Sequence, residues 1–127
     1  MSGTGHRDIL AADIEWRDGS GDGIRYARFP LDETNPHAPN VILTTFGPGA
    51  EVPAHTHECN YFEYIVEGEQ TVGKVVFGKG DVRLVKGGTG YGPIKVGPEG
   101  CTVLIVFEDG SRSMMETLPR RSKELAA

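Results

Sequence analysis

Short runs of β-branched and aromatic residues, separated by turns rich in glycine and proline, dominate the middle of the chain. Five runs carry this pattern: Val41–Phe46, Tyr61–Val66, Thr71–Phe77, Val82–Val85 and Thr102–Phe107. An earlier segment, Ile24–Phe29, alternates apolar and polar positions as a half-buried strand does. Strands at such spacing are typical of a sandwich or a barrel. The pattern therefore predicts an all-β fold.

The two ends of the chain lack this pattern, which sets the predicted domain limits. Residues 1–20 are predicted to form a partly flexible N-terminal segment, residues 21–110 a single barrel, and residues 111–127 a polar C-terminal tail. Within that tail a short helix over residues 122–127 and a frayed end are equally compatible with the sequence. A chain of 127 residues is long enough for one domain with one core. The stretch 31–39 has two prolines and no hydrophobic period, so it is predicted to be a loop.

Composition and charge limit the binding partners and the compartment that we expect for this protein. The formal net charge of -5 disfavours nucleic acid and anionic membranes as partners. No apolar run approaches the ~20 residues that a membrane span needs. The first dozen residues lack the apolar core of a signal peptide, so we expect a cytoplasmic protein. In that compartment Cys59 and Cys101 are expected to be free thiols.

His55 and His57 are the most informative chemical feature of the sequence. They lie two residues apart, just before a strand-forming run. On a strand, residues i and i+2 point to the same face, so both imidazoles are expected to face one interior. Ligands on strands are also held more rigidly than ligands on loops. The pair therefore predicts a metal site inside the barrel.

The residues around this pair resemble the cupin superfamily. Its first motif is matched by Gly49, His55, His57, the run Tyr61–Val66 and Gly68, and the start of its second motif by Gly80, Asp81 and Gly88. The resemblance covers roughly residues 41 to 107. It implies a double-stranded β-helix, or jelly-roll barrel, commonly dimeric. It also implies a metal inside the barrel, which the family usually holds with three histidines and one glutamate.

The ligand positions depart from that family pattern. Tyr61 stands at the position of the usual glutamate, and Tyr91 at that of the third histidine. Glu63 lies two residues after Tyr61 and is expected on the same strand face. Its carboxylate is therefore predicted to complete a metal site with His55 and His57. Two histidines and one carboxylate form the facial triad of non-haem iron oxygenases, so the expected cofactor is a divalent transition metal: Fe, Mn, Ni, Cu or Zn.

The sequence is compatible with three functions. The first is a metal-dependent enzyme acting on a small organic molecule inside the barrel, a dioxygenase or a lyase or isomerase. Its catalytic residues are predicted to be Tyr61, Glu63 and Tyr91. The second is a metal-free acid/base isomerase, dehydratase or cyclase that uses the same side chains. The third is a barrel that binds a small ligand without catalysis. A homodimer is expected from the family and from the need to cover edge strands.

Two further details of the site are predicted. Glu63 is as compatible with an inward ion pair to Lys86 or Arg83 as with metal ligation. The apolar part of the cavity wall is predicted to comprise Leu43, Ile65, Leu84 and Ile105.

Overall fold

The structure, a computed structural model, describes residues 5–19 and 23–117, which contain ten strands and two short 3₁₀ helices. The helices are Ala11–Asp13 and Gly110–Arg112. The strands are β1 (Arg17–Asp18), β2 (Ile24–Pro30), β3 (Asn40–Phe46), β4 (Glu51–Val52), β5 (His55–His57), β6 (Tyr61–Val72), β7 (Val75–Gly78), β8 (Val82–Val85), β9 (Ile94–Phe107) and β10 (Met115–Thr117).

The strands form one large sheet and one small one. The large sheet has the order β1-β2-β3-β9-β6-β7, with β4 also paired to β9 and β8 to β6. The small sheet joins β5 to β10. Every one of these pairings is antiparallel. The all-β prediction is confirmed, as is the predicted loop between β2 and β3.

Two β-bulges allow the long strands β6 and β9 to bend together. The register between them shifts between Ile65 and Glu67 and again between Gly68 and Gln70. Gly68 has φ of 77°, and a Cβ placed on it would lie 2.1 Å from the carbonyl oxygen of Gly100. Only glycine fits this crossing, because the backbones approach too closely for a side chain. The large sheet thereby curves around an interior.

Two sequence predictions about these strands are wrong. Residues 67–69 were expected to end a strand, but β6 continues through them because the glycine there serves a bulge. Residues 71–77 were expected to be one strand. They contain the hairpin turn at Gly73 and Lys74, which joins β6 to β7.

The large sheet is apolar on both faces. On β6, Tyr61 and Ile65 point inward and are 5% and 1% exposed. The alternate side chains face outward. An outer apolar patch is formed by Phe62, Tyr64, Val82 and Leu84, which are 36%, 36%, 45% and 80% exposed. Phe62 pairs with Leu84, and Tyr64 with Val82, across β6 and β8, so the four side chains share one face.

Strand pairing reaches beyond residues 21–110 at both ends. β1 extends the large sheet before this range, and β10 pairs with β5 after it. The remainder of the predicted tail, with its proposed helix at 122–127, lies outside the described residues. Within residues 5–19 and 23–117 no helix has the length and hydropathy of a membrane span.

Candidate functional site

The two histidines of β5 lie side by side in the barrel wall. His55 and His57 are 4% and 9% exposed, and both line the interior cavity. Their ring centroids are 5.3 Å apart with an interplanar angle of 88°. The backbone of His55 is bridged to Tyr91 on one side, and β10 pairs with β5 through Met115 and His57. The predicted common face of the two rings is therefore present.

Backbone carbonyls orient both imidazoles. Nδ1 of His55 lies 2.9 Å from the carbonyl oxygen of Pro53, and Nδ1 of His57 lies 2.9 Å from that of Ser113. Since a carbonyl only accepts, each Nδ1 carries the proton and each Nε2 keeps a lone pair. Burial lowers the pKa of both histidines, and the carbonyl contacts oppose this only in part. Both rings are thus neutral at pH 7 and can accept a proton.

Two tyrosines lie beside these histidines: Tyr91 lines the cavity, whereas Tyr61 is buried and does not line it. The hydroxyl groups of Tyr61 and Tyr91 are hydrogen-bonded to each other. The Tyr91 ring centroid is 4.7 Å from that of His55, and the Tyr61 centroid is 5.0 Å from that of His57. Burial raises the pKa of both phenols. Both tyrosines are therefore protonated at neutral pH and available as hydrogen-bond donors.

Glu63 faces inward as predicted, and its partners are Arg83 and Gln70. Its Oε1 lies 3.4 Å from Nε of Arg83 and accepts a hydrogen bond of 2.6 Å from Nε2 of Gln70. Burial raises the pKa of Glu63, while the charge of Arg83 and the bond from Gln70 oppose the rise. Of the two predicted roles, the ion pair with Arg83 is the one that forms.

The structure does not group the Glu63 carboxylate with His55 and His57 as metal ligands, so the three-ligand metal centre stays a prediction. Among the described residues, no group of three or more histidine, cysteine, aspartate or glutamate side chains is placed to hold a metal ion. The physical reason is that the Glu63 carboxylate is already engaged by a guanidinium and an amide. The donor set beside the two imidazoles consists of phenols. It does not fit the facial triad expected from the sequence.

An interior cavity of about 460 Å³ lies against these groups. Besides the histidines, Glu63, Gln70 and Tyr91, its wall includes the apolar side chains Ile42, Val103, Ile105 and Phe107. The prediction of Ile105 is confirmed, whereas Ile65 is buried in the core cluster and is not among the wall residues. Leu84 is 80% exposed on the outer face, and Leu43 follows the inward Ile42, so both point away from the cavity. The prediction of these two leucines as wall residues is wrong.

Several site residues escaped the sequence analysis. Gln70 is 1% exposed and lines the cavity. Ser113, which holds His57, and the adjacent Met114 and Met115 also line it, although they fall in the segment predicted as a polar tail. The two adjacent methionines in that otherwise polar segment were the available signal that it contributes to the cavity wall, although they are 77% and 38% exposed.

Three further titratable side chains lie away from the cavity wall. His37 is 73% exposed and contacts Ser111 and Asp109. Glu58 is exposed. Cys59 is buried, and its thiol donates to the carbonyl oxygen of Asp109 at 3.6 Å. Burial raises its pKa, which keeps the thiol protonated and unreactive.

Solved structures identify the fold. The sequence matches no protein-family model and no curated protein. The polyketide cyclase RemF of Streptomyces resistomycificus superposes with a TM-score of 0.72 at 17% identity, over 94% of this chain and 89% of that one. An RmlC-like cupin from Shewanella frigidimarina superposes with a TM-score of 0.69 at 23% identity, over 84% of this chain and 93% of that one. The protein has the cupin fold.

A third cupin-fold relative is much longer. A deletion mutant of Bacillus subtilis oxalate decarboxylase gives a TM-score of 0.70 at 21% identity and covers 91% of this chain. The chain spans only 34% of that protein. At these identities the shared cupin barrel says nothing about the substrate, so function has to be inferred from the side chains inside it.

Proposed function

We propose that the protein is a small-molecule enzyme that uses acid/base catalysis inside its cupin barrel. The observation that carries the proposal is the contact between two protonated phenols and two neutral imidazoles, of which His55, His57 and Tyr91 line the cavity. The reaction class is isomerisation, dehydration or cyclisation of a molecule with a carbonyl or enol oxygen. A polyketide cyclase is among the cupin-fold neighbours, which is compatible with this class.

The two kinds of side chain have complementary roles in the proposal. In the phenol pair one hydroxyl donates to the other, which leaves one O–H free for a substrate oxygen. Such a donor stabilises negative charge that develops on that oxygen. Nε2 of His55 or His57 accepts the proton from the adjacent carbon, because each Nδ1 is already protonated. Return of this proton to another atom of the substrate completes an isomerisation.

The cavity wall sets the kind of substrate. Ile42, Val103, Ile105 and Phe107 present an apolar surface opposite the polar groups. A volume of about 460 Å³ suits a molecule with one or two rings. We therefore propose an aromatic or otherwise apolar ketone or enol as the substrate class.

Hydrogen–deuterium exchange tests this chemistry without knowledge of the natural substrate. A panel of enolisable aromatic ketones, such as acetophenone, is incubated with the protein in D₂O, and loss of the α-proton signal is followed by NMR. Wild-type protein should accelerate exchange of at least one member above the buffer rate. Tyr91→Phe should lower that acceleration about 100-fold or more, because it removes an oxyanion donor.

Matched controls come from the outer surface. Tyr64→Phe removes a phenol from the outer apolar patch, and His37→Gln removes an exposed imidazole. Both variants should retain wild-type exchange, whereas at least one of His55→Gln and His57→Gln should lose it. Exchange that survives in Tyr91→Phe and in both interior histidine variants would contradict the proposal. Tight binding of a panel member without exchange would favour the non-catalytic ligand-binding alternative.

A second candidate function, a metal-dependent enzyme, is favoured by the orientation of the histidines. A metal-bound histidine commonly donates its other ring nitrogen to a carbonyl, as His55 and His57 do here. The fold offers these two imidazoles and no third histidine, cysteine or carboxylate ligand among the described residues. The metal would be a divalent transition ion, and we derive no catalytic step through it.

Metal analysis separates the two candidates. Purified protein is analysed by mass spectrometry for Fe, Mn, Ni, Cu and Zn before and after dialysis against EDTA. The acid/base proposal expects the exchange activity to persist after dialysis. One equivalent of metal that is lost together with activity, and restored by that metal alone, would establish the metal-dependent candidate instead.

We also propose that the protein forms a homodimer through the outer apolar patch. Phe62, Tyr64, Val82 and Leu84 are contiguous and lack an intervening charge, since Glu63 and Arg83 point inward. Contiguous apolar surface of this kind is typical of protein interfaces. A second copy is the occupant we propose, because a two-fold contact would cover the same patch on both molecules.

Sedimentation or light scattering tests the dimer. Leu84→Glu should shift the protein to a monomer, because it places a charge in the centre of the patch. Leu31→Glu, at a 55% exposed leucine in the loop after β2, is the matched control and should leave the mass unchanged. A wild-type monomer, or a dimer that Leu84→Glu leaves intact, would contradict this interface.

A further inference from the structure

The carbonyl that orients His57 comes from a distant segment, whereas the carbonyl that orients His55 is local. Nδ1 of His55 lies 2.9 Å from the carbonyl oxygen of Pro53, two positions earlier in the chain. Nδ1 of His57 lies 2.9 Å from the carbonyl oxygen of Ser113, 56 positions away. The tautomer of His57 therefore depends on where the C-terminal part of the barrel places Ser113, and the tautomer of His55 depends on the turn before β5.

The backbone conformation of Ser113 directs its carbonyl at the imidazole. Ser113 follows the 3₁₀ helix Gly110–Arg112 with φ of -84° and ψ of -5°, which is a helical conformation. Its hydroxyl donates a hydrogen bond of 2.9 Å to the carbonyl oxygen of Gly110, and the residue is buried. Because ψ sets the direction of a residue's own carbonyl, this helical value turns the oxygen toward Nδ1 of His57.

The segment after Ser113 pairs with the histidine strand and also forms part of the cavity wall. β10 is antiparallel to β5, which carries both histidines, and this pair makes up the small sheet by itself. Met114 and Met115 line the cavity beside Ser113. One short segment therefore contributes to the cavity wall and holds the hydrogen-bond acceptor of His57.

We propose that Ser113 is a positioning residue whose main-chain carbonyl holds His57 in the tautomer that can accept a proton from the substrate. This inference rests on the proposed function and deepens it. A neutral histidine with its proton on Nδ1 keeps the Nε2 lone pair, whereas the other tautomer carries an N–H there and cannot act as a base at that atom. Without the Ser113 carbonyl the ring distributes between both tautomers, because the hydrogen bond at Nδ1 no longer selects one.

Met114→Pro tests this role, because a proline restricts the residue that precedes it. Proline at position 114 disfavours the helical conformation of Ser113 and moves its ψ to about 120–160°. The Ser113 carbonyl then turns away from His57. Met114→Ala is the matched control, since it removes the same exposed thioether from the cavity wall and places no restriction on Ser113.

NMR of protein labelled with nitrogen-15 histidine reports the tautomer without a substrate. The protein is first dialysed against EDTA, because a metal on Nε2 would also fix the ring. Two-bond proton–nitrogen spectra then distinguish a protonated Nδ1 from a protonated Nε2, and the His57 signals are those that His57→Gln lacks. Wild-type protein and Met114→Ala should show His57 protonated on Nδ1, whereas Met114→Pro should show a mixture. His55 should keep its Nδ1 proton in all three proteins and is the internal reference.

The ketone exchange assay measures the consequence for catalysis. Met114→Pro should lower the exchange rate about 3-fold to 10-fold relative to Met114→Ala, because only the fraction of molecules with the competent tautomer reacts. Equal rates in these two variants would overturn the inference. So would a His57 that keeps its Nδ1 proton in Met114→Pro, or one that carries the proton on Nε2 in the wild-type protein. The wild-type spectrum decides the last point even if Met114→Pro does not fold.

The acid/base proposal fails separately from this inference. Absence of ketone exchange in wild-type protein would contradict the acid/base chemistry and leave the tautomer spectra unchanged. Ketone exchange that depends on Tyr91, together with a tautomer of His57 that does not respond to Met114→Pro, would support the chemistry and contradict the role of Ser113.

Discussion

Arg83→Met should lower the free energy of unfolding by about 3–5 kcal/mol, which is the cost of leaving one member of a buried ion pair alone. The side chains of Arg83 and Glu63 are 10% and 5% exposed, so water cannot replace the lost partner. Methionine fills most of the volume of the aliphatic part of the arginine side chain. The lost stability therefore measures the removal of the charge and not the creation of a cavity. Urea unfolding at pH 7 measures it.

A double-mutant cycle with Glu63→Leu isolates the interaction. The double variant should recover most of the stability lost in Arg83→Met, because it removes the uncompensated carboxylate. Lys79→Met is the matched control. It breaks the pair with Glu67, whose side chains are 72% and 63% exposed, and should cost no more than about 1 kcal/mol. If the losses in the free energy of unfolding from Arg83→Met and Glu63→Leu simply add in the double variant, the two side chains are not energetically coupled and the prediction is wrong.

The loss in Arg83→Met should also depend on pH. Burial already raises the pKa of Glu63 above its ordinary value of 4.5, and removal of the positive charge raises it further. A group whose pKa is raised in the folded state binds its proton there more tightly than in the unfolded chain. The protonated form needs no ionic partner. The destabilisation should therefore be small at and below pH 4.5 and increase as the pH rises above it.

Local rules of strand geometry predicted the histidine pair correctly. The spacing of His55 and His57 places them on one face of any strand, whatever its partners. The inward direction of Glu63 followed from Tyr61 in the same way, because the first bulge in β6 comes after Ile65. Tyr91 was found through the family resemblance, since no local pattern places it beside His55.

The errors concern features that tertiary pairing decides. Glu63 faces Arg83 because β6 and β8 align these two residues, and no sequence pattern fixed that register. The carbonyl of Ser113 reaches His57 across 56 positions of sequence. Gly68 suggested a turn because glycine with positive φ occurs both in turns and in bulges, and only the neighbouring strand distinguishes them. The two leucines were mispredicted as wall residues for the same reason.

Phe107 packs against one histidine and one tyrosine of the proposed site. It is 1% exposed, and its ring centroid is 4.9 Å from that of His57 and 5.0 Å from that of Tyr61. It also belongs to the buried cluster that contains Cys59. A single ring therefore fixes one phenol and one imidazole of the proposed site. Changes at this position should affect stability and activity together.

Phe107→Ala should lower the free energy of unfolding by about 3–5 kcal/mol, because it removes a buried ring that packs on His57 and Tyr61, and these strand residues relax only partly into the vacated volume. Phe107→Leu retains most of the volume and should cost about 1–2 kcal/mol. The leucine variant should remain folded yet lose ketone exchange, since it keeps the packing but not the flat surface that orients Tyr61 and His57. Urea unfolding and the NMR exchange assay on both variants check these results. Wild-type exchange in Phe107→Leu would mean that the two side chains are positioned without this ring, by the Ser113 carbonyl and the Tyr91 hydroxyl alone.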